Sequence, residues 1–170
     1  MVDVENVVRH ALMVLSRGPA AARYSPMAGC GGGWSGSFEM ADREAAVAVL
    51  EALMQLELGR NLALMAWVHR DNIREGPAYL ADLASIVRMT LGVSGVRYGE
   101  AMLEYLVRHW MRNDGSFSEA SRLYGWSDQT VRRFYLSEVL PLLRGWHVAA
   151  RGEMERVIER YYPELAQAAA

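Results

Sequence analysis

The stretch from Ser116 to Leu140, SFSEASRLYGWSDQTVRRFYLSEVL, constrains this chain more than any other. It reads as two short helices joined by a tight turn. Ser116 or Ser118 can cap the first helix, and Gly125 can end it through its tolerance of positive φ. Ser127 then caps a second helix from Asp128, whose carboxylate suits the positive end of the helix dipole. Across the turn, Ala120, Leu123 and Tyr124 are expected to face Trp126, Val131 and Phe134. This is the apolar spacing that holds a helix-turn-helix at a steep angle. Gln129, Thr130, Arg132 and Arg133 are left pointing outward. Gln and Arg bond bidentately to adenine and guanine edges, and Arg and Thr also reach phosphates. Gln129, Arg132 and Arg133 are therefore candidates for base or phosphate contact, with Arg122, Thr130 and Arg144 as backbone candidates. The competing reading is an ordinary helical hairpin with a solvated polar face.

The rest of the chain supports an all-α fold, a multi-helix orthogonal bundle with this helix-turn-helix near its C-terminus. Val4, Val7, Val8, Ala11 and Leu15 recur at helical spacing over residues 3–16, and Gly18-Pro19 stops that helix. Residues 18–40 have no periodicity and carry a Gly-rich loop, GCGGGWSG, with Trp34 as an aromatic anchor. The loop lacks the Lys-Ser/Thr ending of a P-loop, so the glycines are not read as a phosphate cradle. Asp42 can cap a helix through Leu58 that turns Val47, Leu50, Leu53, Met54 and Leu58 inward. An apolar helix follows from Asn61 to His69, and Gly76-Pro77 punctuates it. Residues 79–91 bury Leu80, Leu83, Ala84 and Val87, with Gly92 to Gly95 as a turn. The next helix runs to Met111 through Met102, Leu103, Leu106, Val107 and Trp110. This pair is either a packing platform for the hairpin or a second DNA-facing unit. Beyond the hairpin, Pro141 should kink or end the recognition helix, because proline has no N–H to donate. A last helix takes Met154, Val157, Ile158 and Tyr161 inward until Pro163. No strand-like alternation or repeat appears. The expected division is an N-terminal helical region over 1–76 and a C-terminal DNA-binding region over 77–170.

Composition narrows the function. The formal net charge of the 170 residues is -2, so the chain offers no broad basic field, and any nucleic-acid contact must be local. All 18 basic residues are Arg, a bias that fits a GC-rich coding sequence and is not by itself phosphate recognition. No apolar run reaches a membrane span and no signal pattern opens the chain, so a cytoplasmic protein is the default expectation. The single cysteine, Cys30, excludes an internal disulfide and a Cys-cluster zinc site. His10, His69, His109 and His147 lie far apart, outside any two-His metal motif. The acids come singly or beside Arg at helical spacing, the pattern of a solvated face. No nucleophile elbow, carboxylate pair or P-loop is present. The expectation is a protein that is not an enzyme and needs no cofactor or metal.

A short N-terminal helix, a loop carrying Tyr24-Ser25-Pro26-Met27-Ala28, and a late hairpin with Ser127-x-x-Thr130-Val131-Arg132 together resemble phage late-gene regulators. The layout is most similar to the Q-type late antitermination proteins of lambdoid phages, in their zinc-free branch. It also resembles the late activators that share a hairpin like sigma-factor region 4. The resemblance covers about five residues of loop and twenty-five of hairpin. It implies a protein that binds double-stranded DNA near a late promoter, loads onto bacterial RNA polymerase paused with sigma factor, and makes the enzyme ignore terminators. On that reading residues 127–136 read the DNA and the N-terminal half meets polymerase. The Gly-rich insertion around Cys30 to Gly36 and the long helical stretch before the hairpin depart from the family pattern. Two other readings stay open, the small subunit of a phage packaging terminase and a helical interaction protein that binds no DNA.

Overall fold

Apolar residues spaced three and four apart form helices throughout the computed structural model, which describes residues 3–16 and 40–162. The helices are α1 (Val4–Ser16), α2 (Met40–Gln55), α3 (Leu58–Val68), α4 (Gly76–Leu91), α5 (Val93–Tyr98), α6 (Glu100–Arg112), α7 (Phe117–Tyr124) and α8 (Asp128–Phe134). A π-helical turn, Tyr135–Val139, then leads into α9 (Leu140–Tyr161). Among the described residues there is no strand, so the chain is all-α. No helix among them is long and apolar enough to cross a membrane. The expectations for the Gly-rich loop, Cys30, Trp34 and Pro163 fall outside the described residues, and so does the side chain of Asp42.

The chain divides into two units, one drawn from residues 1–55 and 153–170 and one from 56–152. The expected boundary after residue 76 instead falls after Gln55. A break at 76 would part α3 from α4, which pack on each other within the second unit. In the first unit α1 buries Val4, Val7, Val8 and Ala11, and it packs on α2. The buried face of α2 is Ala45, Ala46, Val49 and Leu53, whereas Val47 and Met54 are exposed, as is Leu58 at the start of α3. The expectation weighted large side chains, but a helix face rich in alanine lets two backbones approach closely, and Val47 and Met54 lie on the far side. In the last helix Met154 and Ile158 are buried as expected. Tyr161 is exposed instead, and Tyr162 takes the buried place.

The second unit is built on one cluster. Leu80, Leu83, Ala84 and Val87 of α4 and Met102, Leu103, Leu106 and Val107 of α6 form its centre, and Val131, Phe134, Val139 and Leu143 complete it. Of residues 92–95, expected as a turn, Gly92 is one, and Val93 already begins helix α5. Gly95 is buried there, against the backbone of Arg88, where an added Cβ would collide. That close approach is what a glycine permits at a crossing.

Tyr105 fixes where α7 begins. Its phenol is buried and accepts a hydrogen bond from the Ser116 N–H at 2.8 Å. The phenol oxygen lies 2.9 Å from both the Glu119 carboxylate and the Ser116 carbonyl, the two acceptors for its single proton. Ser116 in turn accepts from the Glu119 N–H at 3.1 Å and caps α7. The phenol thereby takes the place that the N3 carboxylate holds in a capping box, with Glu119 bonding the phenol rather than the cap backbone.

Pro141 does not end the helix. The backbone widens by one turn, in which the Leu140 N–H reaches the Tyr135 carbonyl, five residues back. A wide turn relieves the clash of the proline ring with the carbonyl four residues earlier, so the chain passes continuously into α9. Ser137 Oγ donates to the Arg133 carbonyl at 2.8 Å at the start of this turn.

Replacing Tyr105 with Phe strands the Ser116 N–H and should lower stability by about 1–3 kcal/mol in urea denaturation. Burial first, and then the hydrogen bond to Glu119, push the Tyr105 phenol above its ordinary value. The unfolded phenol then ionises before the folded one, so stability holds below about pH 10 and falls as pH rises beyond it. The Phe variant should show a shallower alkaline loss, and an equally steep loss would remove Tyr105 as its source.

Candidate nucleic-acid interface

Helix α8 contains only seven residues and sits on two of them, Val131 and Phe134, both buried. Its start is fixed by side chains. Ser127 Oγ accepts from the Thr130 N–H at 3.2 Å and lies 2.7 Å from the Thr130 hydroxyl. Ser118 Oγ, on α7, reaches Asp128 Oδ1 at 3.4 Å and ties the two helix starts together. At the turn, Gly125 ends α7 with φ +75°, a value a side-chain-bearing residue adopts only with strain. The Ser121 hydroxyl donates to the Trp126 carbonyl and holds the corner.

With Val131 and Phe134 inward, the opposite face of α8 is solvent-facing. Gln129, Arg132 and Arg133 are exposed and form a rim along it. Arg122 is exposed on α7 and Arg144 on α9. Among the described residues, the guanidinium groups of Arg122, Arg132 and Arg133 make no hydrogen bond or ion pair. Burial raises the Tyr135 phenol, and the nearby positive charge of Arg144 opposes part of that rise. Ser127 and Thr130, also expected as DNA contacts, bond to each other in the cap of α8. Leu123, expected in the seam between α7 and α8, is 57% exposed. The seam of α7 is Phe117, Ala120 and Tyr124, and Leu123 lies a third of a turn off it.

The balance of charge is positive here. Residues 116–152 carry five arginines against three carboxylates, in a chain whose formal net charge is -2. A second feature, which the sequence did not expose, flanks the turn. Tyr98, at the end of α5, stacks on Phe134 with ring centroids 3.8 Å apart and meets Trp126 at 4.9 Å. The Arg97 guanidinium lies 5.2 Å from the centre of the Trp126 ring and 5.7 Å from that of Tyr98. Nothing in the local pattern around Arg97 signals this, because the aromatic partner is nearly thirty residues away in the chain.

Among the described residues no group of three or more His, Cys, Asp or Glu side chains could hold a metal ion. His69 pairs with Glu75 at 2.8 Å and stacks on Tyr79, and His147 stacks on Trp67. No family model matches the chain, and no curated protein and no solved structure matches it either.

Removing the cap hydroxyl tests how α8 is held. Ser127→Ala should cost about 0.5–2 kcal/mol of unfolding free energy, while Ser127→Asp, which can accept the same Thr130 N–H, should retain most of it. Equal losses in calorimetry would show that the hydroxyl is not what holds the start of α8.

Proposed function

We propose that this chain is a DNA-binding transcription regulator that reads duplex DNA with α8. The observation that carries the reading is the outward rim of Gln129, Arg132 and Arg133 on a short helix seated by Val131 and Phe134. Gln and Arg at adjacent positions of an exposed helix offer two-pronged hydrogen bonds to purine edges in the major groove. The pair α7–α8, with its tight corner at Gly125, serves as the helix-turn-helix of this reading, in the manner of sigma-factor region 4. Arg122 and Arg144 supply phosphate contacts that set the register without reading sequence. Ser127 and Thr130 act indirectly, by holding the start of α8.

The transcriptional setting is the one implied by the likeness to phage late antitermination proteins. A chain with net charge -2 and a small basic hairpin binds DNA weakly by itself. A second contact, to RNA polymerase, raises the effective concentration at the promoter and makes weak DNA binding sufficient. In this proposal the protein joins polymerase near a late promoter and carries it through terminators. Transcription by purified polymerase across a terminator should then read through more often with the protein than without it. Unchanged read-through would confine the role to DNA binding.

The reading itself is tested by anisotropy titration against a panel of labelled duplexes selected from random sequence. Arg132→Ala should weaken the preferred duplex by about 1–3 kcal/mol and flatten the ranking of sequences. An unaltered affinity and ranking for both Arg132→Ala and Arg133→Ala would overturn the assignment of the rim.

A further inference from the structure

Arg97 is the cation in this region that the rim and its neighbours do not account for. It is exposed, and among the described residues it makes no hydrogen bond or ion pair. The nearest carboxylate along its own part of the chain, Glu100, is taken by Arg88 at 3.3 Å. Arg97 is nevertheless held in place. Its guanidinium lies against the faces of Trp126 and Tyr98, and those rings are themselves fixed to each other and to Phe134. Upstream, α5 is locked by the close crossing of Gly95 over Arg88. Trp126 directly precedes Ser127, so this fixed charge stands beside the corner that leads into α8.

A guanidinium kept against an aromatic face stays charged and retains its planar N–H edges for a partner outside the protein. Holding a long side chain in one place beforehand also reduces the ordering lost when it binds. An unneutralised cation beside a base-reading helix meets the sugar-phosphate backbone of the same duplex, where the partner is a phosphodiester oxygen pair that accepts a forked donor.

We propose that Arg97, braced on Trp126 and Tyr98, is a phosphate clamp that grips the DNA backbone beside the segment read by α8. The proposal rests on the DNA-reading role of α8. Because the contact is to phosphate, it is indifferent to sequence and sensitive to salt.

The test is the salt dependence of binding to a fluorescein-labelled duplex of mixed sequence, with the whole chain. For the unaltered protein, log K falls linearly with log salt, and each phosphate contact contributes about 0.9 to the slope. Arg97→Ala should make the slope shallower by about 0.9 and weaken all duplexes in the panel alike. Arg97→Lys keeps the charge and should keep the slope, with lower affinity because the ammonium cannot fork. Loss of packing alone would lower the melting temperature of both variants without this division between them. If the unaltered protein binds and Arg97→Ala leaves the slope unchanged, the clamp is overturned and α8 stands. If the unaltered protein shows no salt-dependent binding to any duplex, the DNA-reading role falls and the clamp falls with it.

Discussion

The seating of α8 on Val131 and Phe134 is the interaction on which the site depends. The helical backbone runs on without a break from α8 through the wide turn into α9, so length alone does not decide which way its first turns face. Burying each of the two side chains contributes about 1.5–3 kcal/mol, against roughly 1 kcal/mol for the Ser127 cap and tenths for helix propensity. Burial therefore decides which way the helix faces. Once Val131 and Phe134 point inward, the 3.6-residue period sends Gln129, Arg132 and Arg133 to the opposite side. The wide turn at Tyr135–Val139 shifts the α-helical register, so that Val131, Tyr135, Val139 and Leu143, each four residues on from the last, all stay buried.

The platform beneath that seat is assembled from two directions. From α6, the Tyr105 phenol sets the start of α7 through Ser116 and Glu119. From α5, Tyr98 stacks on Phe134 and meets Trp126, with Arg97 on the outside. The result is a local excess of arginine on a chain that is acidic as a whole. Such a distribution suits a protein that approaches DNA with one small patch, and not one that coats it.

The fold class was legible from the sequence because apolar residues three and four apart leave no room for strand alternation. The α7–α8 corner was legible as well, since Ser116, Gly125 and Ser127 each have one common use at a helix end. Packing faces were harder. In α2 the buried stripe runs through Ala45 and Ala46, residues too small to stand out against Val47 and Met54, which face solvent. Leu123 misled for a related reason, being apolar but off the seam. Proline at 141 signals a break only while the helix stays α, and the π-helical turn removes that conflict. Thr130 looks like an outward polar group in sequence, and only the fold shows its N–H and hydroxyl bonded to the Ser127 cap. Arg97 is recognisable only once α5 and the corner at Trp126 are brought together by the fold.

The most direct measurement is amide and arginine side-chain NMR of the labelled protein during titration with duplex DNA selected from random sequence. The account predicts that the largest shifts fall on the backbone of residues 127–137 and on the guanidinium signals of Arg132 and Arg133, saturating together. Shifts that avoid this helix, or a titration that moves no signal, would contradict it.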